Sequence, residues 1–178
     1  MQWSRLKHLV EERFAPTIRS RVSLQQARYR YTLEEVGRVW IAIDGREIAS
    51  FDTSSYVGKR ADLSAQIRDA RGLRPYGDPG GHAEYLQADA EAEAILLRSG
   101  EYDDYHALAD LEAFLSMSIE SALTSPSPLL RALAVADGRV GKRRLRTLAA
   151  LPTEHPLVRA LLTLRCEAEQ VPINAPAV

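Results

Sequence analysis

The chain holds one cysteine, Cys166, so it has no internal disulfide and no zinc site built on two or more thiolates. No apolar run approaches the roughly 18–20 residues that a bilayer-spanning helix requires. The opening residues Met1-Gln2-Trp3-Ser4-Arg5 lead into an amphipathic stretch rather than a signal-peptide core. The expected address is therefore cytoplasmic, with no membrane partner. Lysine is scarce: 20 of the 23 basic residues are arginine, whose planar fork suits carboxylates and phosphates. Several catalytic signatures are missing as well. There is no Gly-x-Ser-x-Gly elbow, Walker loop, dinucleotide glycine motif or His-Glu-x-x-His pair. Hydrolase, nucleotide-binding and zincin readings lose their usual anchor, and no cofactor is implied.

What remains is an ordinary globular composition, 46% apolar and 26% charged over 178 residues, enough for one sizeable core. The net charge of −1 hides an uneven layout. Residues 1–60 carry 11 basic and 7 acidic side chains, residues 61–125 carry 4 and 13, and residues 126–178 carry 8 and 4. Blocks of this kind either attract foreign partners or face one another within the fold.

Ser4 can cap a first helix, with Leu6, Leu9 and Val10 on one stripe and Pro16 ending it. Alternation from Val22 to Tyr31 predicts a strand. The run Val39 to Phe51 surrounds Asp44-Gly45, the dipeptide that favours a two-residue type I′ hairpin. With Ile43 and Arg46 flanking the turn, Ile41 faces Ile48. Val39, Ile41, Ile43 and Ile48 would then share one face, and Trp40, Ala42, Ala49 and Phe51 the other. Two apolar faces would need the first helix on one side and later helices on the other.

A second helix is expected from about Asp62 to Gly72, and a turn-rich segment follows from Arg74 to Gly81. Beyond it the pattern is helical: Tyr85 to Leu96, then Tyr105 to Ala122 behind an Asp103 cap, then a break at Ser125-Pro126-Ser127-Pro128. Pro128-Leu129-Leu130-Arg131-Ala132-Leu133 returns as Pro156-Leu157-Val158-Arg159-Ala160-Leu161, which suggests two similar helical hairpins rather than a solenoid. The fold class is α+β. An α-β-β-β-α unit with a three-stranded antiparallel sheet over 1–73 is followed by a helical unit over 82–170 packed on it, and then a tail, 171–178.

Candidate chemistry is sparse. His82-Ala83-Glu84 has the look of a zinc deaminase but lacks the required Pro-Cys-x-x-Cys. Asp103, His106 and Asp110 fall at i, i+3 and i+7, so one helix face could present them as metal ligands, with Glu101 and Asp104 nearby. Cys166 and His155 could pair as nucleophile and base only if the fold brought them together. The densest basic cluster is Arg139, Lys142, Arg143, Arg144 and Arg146, able to hold phosphates or an acidic protein surface. Arg28, Tyr29, Arg30, Tyr31, Arg38 and Trp40 place arginines and aromatics on adjacent strands, in the manner of a single-strand stacking platform. The α-β-β-β-α order with Lys59-Arg60 resembles the double-stranded-RNA-binding fold over residues 4–72. That family's Gly-Pro-x-His loop and Lys-Lys-x-x-Lys cluster are absent, so no RNA-contacting residue carries over.

Trp3-Ser4-x-Leu6-Lys7, the run Trp40-Ile41-x-Ile43-Asp44-Gly45-x-Glu47-Ile48, the segment Gly141 to Arg146, His155-Pro156-Leu157-Val158-Arg159 and Leu164-Arg165-Cys166-Glu167-Ala168-Glu169 together resemble a family of small, uncharacterised bacterial proteins. The resemblance spans nearly the whole chain and implies a bacterial cytosolic protein with no established activity. The residues themselves favour a non-enzymatic protein-binding or adaptor protein, with a protein partner or self-association expected. The alternatives are a nucleic-acid binder using 139–146 and a metal-dependent enzyme with a site at 103–110.

Overall fold

Asp44 and Gly45 take φ of 50° and 76°, the left-handed pair that a type I′ turn needs. This turn joins β2 (Val36–Ile43) to β3 (Arg46–Asp52), and β1 (Val22–Tyr29) pairs antiparallel with β2, giving the order β1-β2-β3. The computed structural model describes residues 1–29, 36–73, 81–151 and 155–172. Arg30 and Tyr31 of the expected first strand, most of the turn-rich segment (74–80) and the end of the tail (173–178) lie outside these.

The turn register is as expected, with Ile43 opposite Arg46, but it does not persist. Ala42 pairs with Glu47 and Ile41 with Ala49, so Ile48 is an extra residue, a β-bulge. Beyond it every side chain of β3 changes face. Phe51 therefore opposes Val39 and joins Ile41 on the buried side, which corrects the face assigned to Phe51 from alternation alone.

The main hydrophobic cluster lies on one face of the sheet. Val22, Leu24, Val39, Ile41 and Phe51 share a single hydrophobic cluster with α1 (Trp3–Arg13), through Leu6 and Val10, and with α4 (Asp104–Ser116), through Ala107, Leu111 and Phe114. The first helix and a later helix thus pack on the same side, not on opposite sides. On the other face, Trp40 is half-buried beneath the Arg38 guanidinium, 5.0 Å from the ring centroid.

The helices otherwise begin and end where local chemistry dictates. α2 (Thr53–Arg71) starts nine residues before the expected Asp62, because the Asp52 carboxylate accepts from the Ser55 N–H and caps it directly off β3. Gly72 ends it and Gly100 ends α3 (His82–Ser99), each in the left-handed conformation. The helix expected from Tyr105 to Ala122 divides into α4 and α5 (Ile119–Leu123), since Ser118 caps a new start. Ser127 caps α6 (Pro128–Ala136), which is followed by α7 (Lys142–Ala149) and α8 (Pro156–Glu169). No helix among the described residues is long and apolar enough to cross a membrane.

The ends of the chain are interlocked. Phe14 forms an isolated β-bridge with Asp137, the Ala15 N–H donates to the Ala136 carbonyl at 2.9 Å, and the Gly138 N–H donates to the Arg13 carbonyl at 2.8 Å. Arg165, 2% exposed, serves this junction by donating to the carbonyls of Val135, Asp137 and Val140 and pairing with Glu169. Burial pushes the Glu169 carboxyl up, but hydrogen bonds from Arg165 and Thr17 outweigh it and hold the group below its ordinary value. Val171, the first residue of the expected tail, is buried, and its N–H donates to the Cys166 carbonyl.

Candidate functional site

The acidic middle of the chain finds much of its countercharge in α2. Arg68 pairs with Asp89 at 3.3 Å, Arg71 with Glu91, and Lys59 with Glu101 at 2.6 Å, tying α2 to α3 and to the α3–α4 turn. The basic end is engaged less completely. Arg139 forks onto the Asp137 carboxylate at 2.7 and 3.0 Å and reaches the Met117 carbonyl at 3.5 Å. That carboxylate is the main reason the Arg139 guanidinium is held above its ordinary value. Arg144 bonds Glu120 at 2.9 Å. Glu120 is held low first by its own backbone N–H and then by Arg144. Lys142 stands 3.8 Å from Glu169, a loose pair.

Arg143 and Arg146 are exposed, and their side chains make no hydrogen bond or ion pair with the described residues. They lie one turn apart on α7, whose Leu145 and Ala149 are buried and fix the helix against the body. The five basic residues therefore separate into two that are firmly paired (Arg139, Arg144), one loosely paired (Lys142) and two open to partners (Arg143, Arg146).

The structure adds a cleft that the sequence did not announce. It holds about 300 Å³ between the α5–α6 pair and the α7–α8 pair, with apolar walls from Leu123, Val135, Leu148, Leu151, Val158 and Leu162. Arg131 and His155 also line it, and both border a neighbouring cleft of about 460 Å³ that contains Arg98 and Glu101. Every residue of α6 is buried except Arg131. The one sequence signal was the repeat itself, which carries an arginine inside an otherwise apolar hexapeptide.

The helix that bears Asp103, His106 and Asp110 uses them structurally. The Asp103 carboxylate accepts from the His106 backbone N–H and contacts its ring Nδ1, both at 2.7 Å. Asp110 instead accepts from the Ser127 hydroxyl at 2.6 Å, and burial raises its carboxyl above the usual range. Among the described residues no group of three His, Cys, Asp or Glu could hold a metal. Burial of Tyr56 beside the His106 ring pushes its phenol up to about 12. The negative charges of Glu93 and Asp103 add to this shift.

The remaining candidates disperse. Cys166 is buried, with burial raising its thiol, and it lies about 16 Å along α8 from His155 at 1.5 Å rise per residue. His82 and Glu84 are exposed at the start of α3. Arg38 of the strand platform pairs with Glu47 and bonds the Ser50 hydroxyl at 2.7 Å, while Arg30 and Tyr31 fall outside the described residues.

Comparison with curated proteins and with solved structures gives no match for this chain. Agreement across residues 2–166, from the first residue before α1 into the last turns of α8, makes the chain a member of the SF0329 protein family.

Proposed function

We propose that this protein is a non-catalytic adaptor of the bacterial cytosol that binds another protein through the exposed basic face of α7. The observation that carries this reading is the pair Arg143 and Arg146, exposed and unpartnered among the described residues on a helix anchored by Leu145. Two guanidinium forks on a fixed helix suit an acidic protein segment, because arginine is enriched among the residues that dominate binding energy. Lys142, loosely held, extends the same charge.

A nucleic acid is less well matched to this surface. Log affinity for duplex DNA changes with log salt by roughly −0.9 per phosphate neutralised, and strong binders use about six to ten contacts. Two or three available cations fall well short of that. The metal-enzyme alternative gains no support from Asp103 and Asp110, which serve as a helix cap and a serine partner.

The test is a comparison of the tagged full chain with its R143E/R146E variant in capture from host lysate, with melting temperature measured on both. A protein held by the parent and released at least tenfold by the variant, at equal melting temperature, is the expected result. Equal retention by both, or retention abolished by nuclease, overturns the reading. Sedimentation of the two proteins identifies the case in which the partner is a second copy of the chain.

A further inference from the structure

We propose that the cleft between the α5–α6 and α7–α8 pairs is a binding site for a small apolar carboxylate, with the Arg131 guanidinium receiving the carboxylate and the leucine and valine walls receiving the carbon chain. This site is separate from the α7 surface and does not rest on it.

Three observations carry the assignment. The first is the cleft's shape and lining: about 300 Å³, at the lower end of the volumes that hold small molecules, with predominantly apolar walls and a few convergent polar groups. A free small molecule fits this scale.

The second is charge. Among the described residues that line it, Arg131 is the only one with a formal charge at neutral pH, and no described carboxylate pairs with it. Its hydrogen bonds run to the carbonyls of Ser125 at 2.6 Å and Pro126 at 3.0 Å, which accept but do not neutralise. Among the described lining residues an anion entering the cleft therefore meets an unmatched cation and no acid, while Glu101 lines the neighbouring cleft together with Arg98.

The third is direction. Both of those bonds use Nη1, leaving Nε and Nη2 without a partner among the described residues. That edge of the guanidinium is a two-donor fork spaced for the two oxygens of one carboxylate. Tethering through Nη1 fixes the fork before any ligand arrives, which reduces the ordering cost of binding. His155 is positioned in the same way, its Nδ1 accepting the Leu157 N–H at 3.2 Å, so the ring forms a fixed wall.

The probes are sodium n-octanoate, 1-octanol and n-octylamine, titrated calorimetrically into the full chain below their aggregation limits. Octanoate is expected to bind saturably, with one site per chain, at least tenfold more tightly than the alcohol or the amine. Arg131→Gln is expected to lose at least tenfold in octanoate affinity. That variant also gives up the bonds to Ser125 and Pro126, so Leu151→Glu provides the second arm. Leu151 is 57% exposed, and a carboxylate there repels octanoate at least tenfold without disturbing the core. Absence of saturable binding, equal affinity for octanol, or octanoate affinity unchanged in Leu151→Glu each overturns the proposal. So does tenfold tighter binding of a peptide ending in leucine with a free carboxylate, which would make the occupant a protein terminus.

Discussion

The guanidinium of Arg165, buried in α8, donates a 2.8 Å hydrogen bond to the Val140 carbonyl in the loop that precedes α7. The same side chain reaches Val135, Asp137, Thr17 and Glu169, so one cation satisfies acceptors from three parts of the chain. Arg165→Met removes the donor and leaves those carbonyls and the Glu169 carboxylate short of partners. Losing one member of a buried ion pair typically costs about 3–5 kcal/mol, and a loss of that order in urea unfolding is expected. A loss below about 1 kcal/mol would show that water replaces the guanidinium at no great cost.

Gly37 stands where β2 passes over the start of α4. A Cβ on this residue would lie 1.9 Å from Oδ2 of Asp104, a 4% exposed carboxylate that accepts from the Thr53 hydroxyl. Gly37→Ala therefore forces Asp104 off its partner, with an expected cost of about 1–3 kcal/mol, the range for overpacking a filled site. The check is non-additivity: Gly37→Ala combined with Asp104→Ala should cost less than the two single changes together.

Stability should decline in mild acid through His155. Burial is the main cause holding its imidazole below the ordinary value of 6.5, with Arg131 adding to the effect and the Ser99 carbonyl opposing it. The unfolded chain takes up a proton near pH 6.5 while the folded imidazole remains neutral to a lower pH. The native state is thus favoured fully above 6.5, and this contribution is lost as pH falls through the folded value. Protonation also removes the Nδ1 lone pair that accepts the Leu157 N–H. Urea midpoints at pH 7.5 and 5.5 measure the decline, and His155→Asn, which retains a capping side chain, is expected to flatten it.

Alternation, turn chemistry and proline placement were sufficient to read the α+β class, the three-stranded sheet and the Asp44-Gly45 hairpin from the sequence. They fail where one residue changes the count. The bulge at Ile48 is a single insertion with no compositional mark, yet it moves Phe51 from one face to the other and leaves Trp40 outside the core cluster. The early start of α2 was hidden by Ser54, Ser55 and Gly58, weak helix formers that follow a strand without an intervening loop.

The same distinction between local and distant information governs the site. The Arg139–Asp137 fork spans two residues and could be anticipated, whereas Arg144 finds Glu120 at a separation of 24. The cleft beside Arg131 depends on how four helices converge, and no pattern along one of them specifies that.

The junction of residues 13–17 with residues 135–140 also governs how the protein is made. Thr17 is synthesised 148 residues before Arg165, whose guanidinium it shares with Val135 and Val140. The first helix and the sheet therefore precede, in synthesis, the later helices that complete their core face. Nascent fragments ending before α8 carry that unfinished face as a target for chaperones.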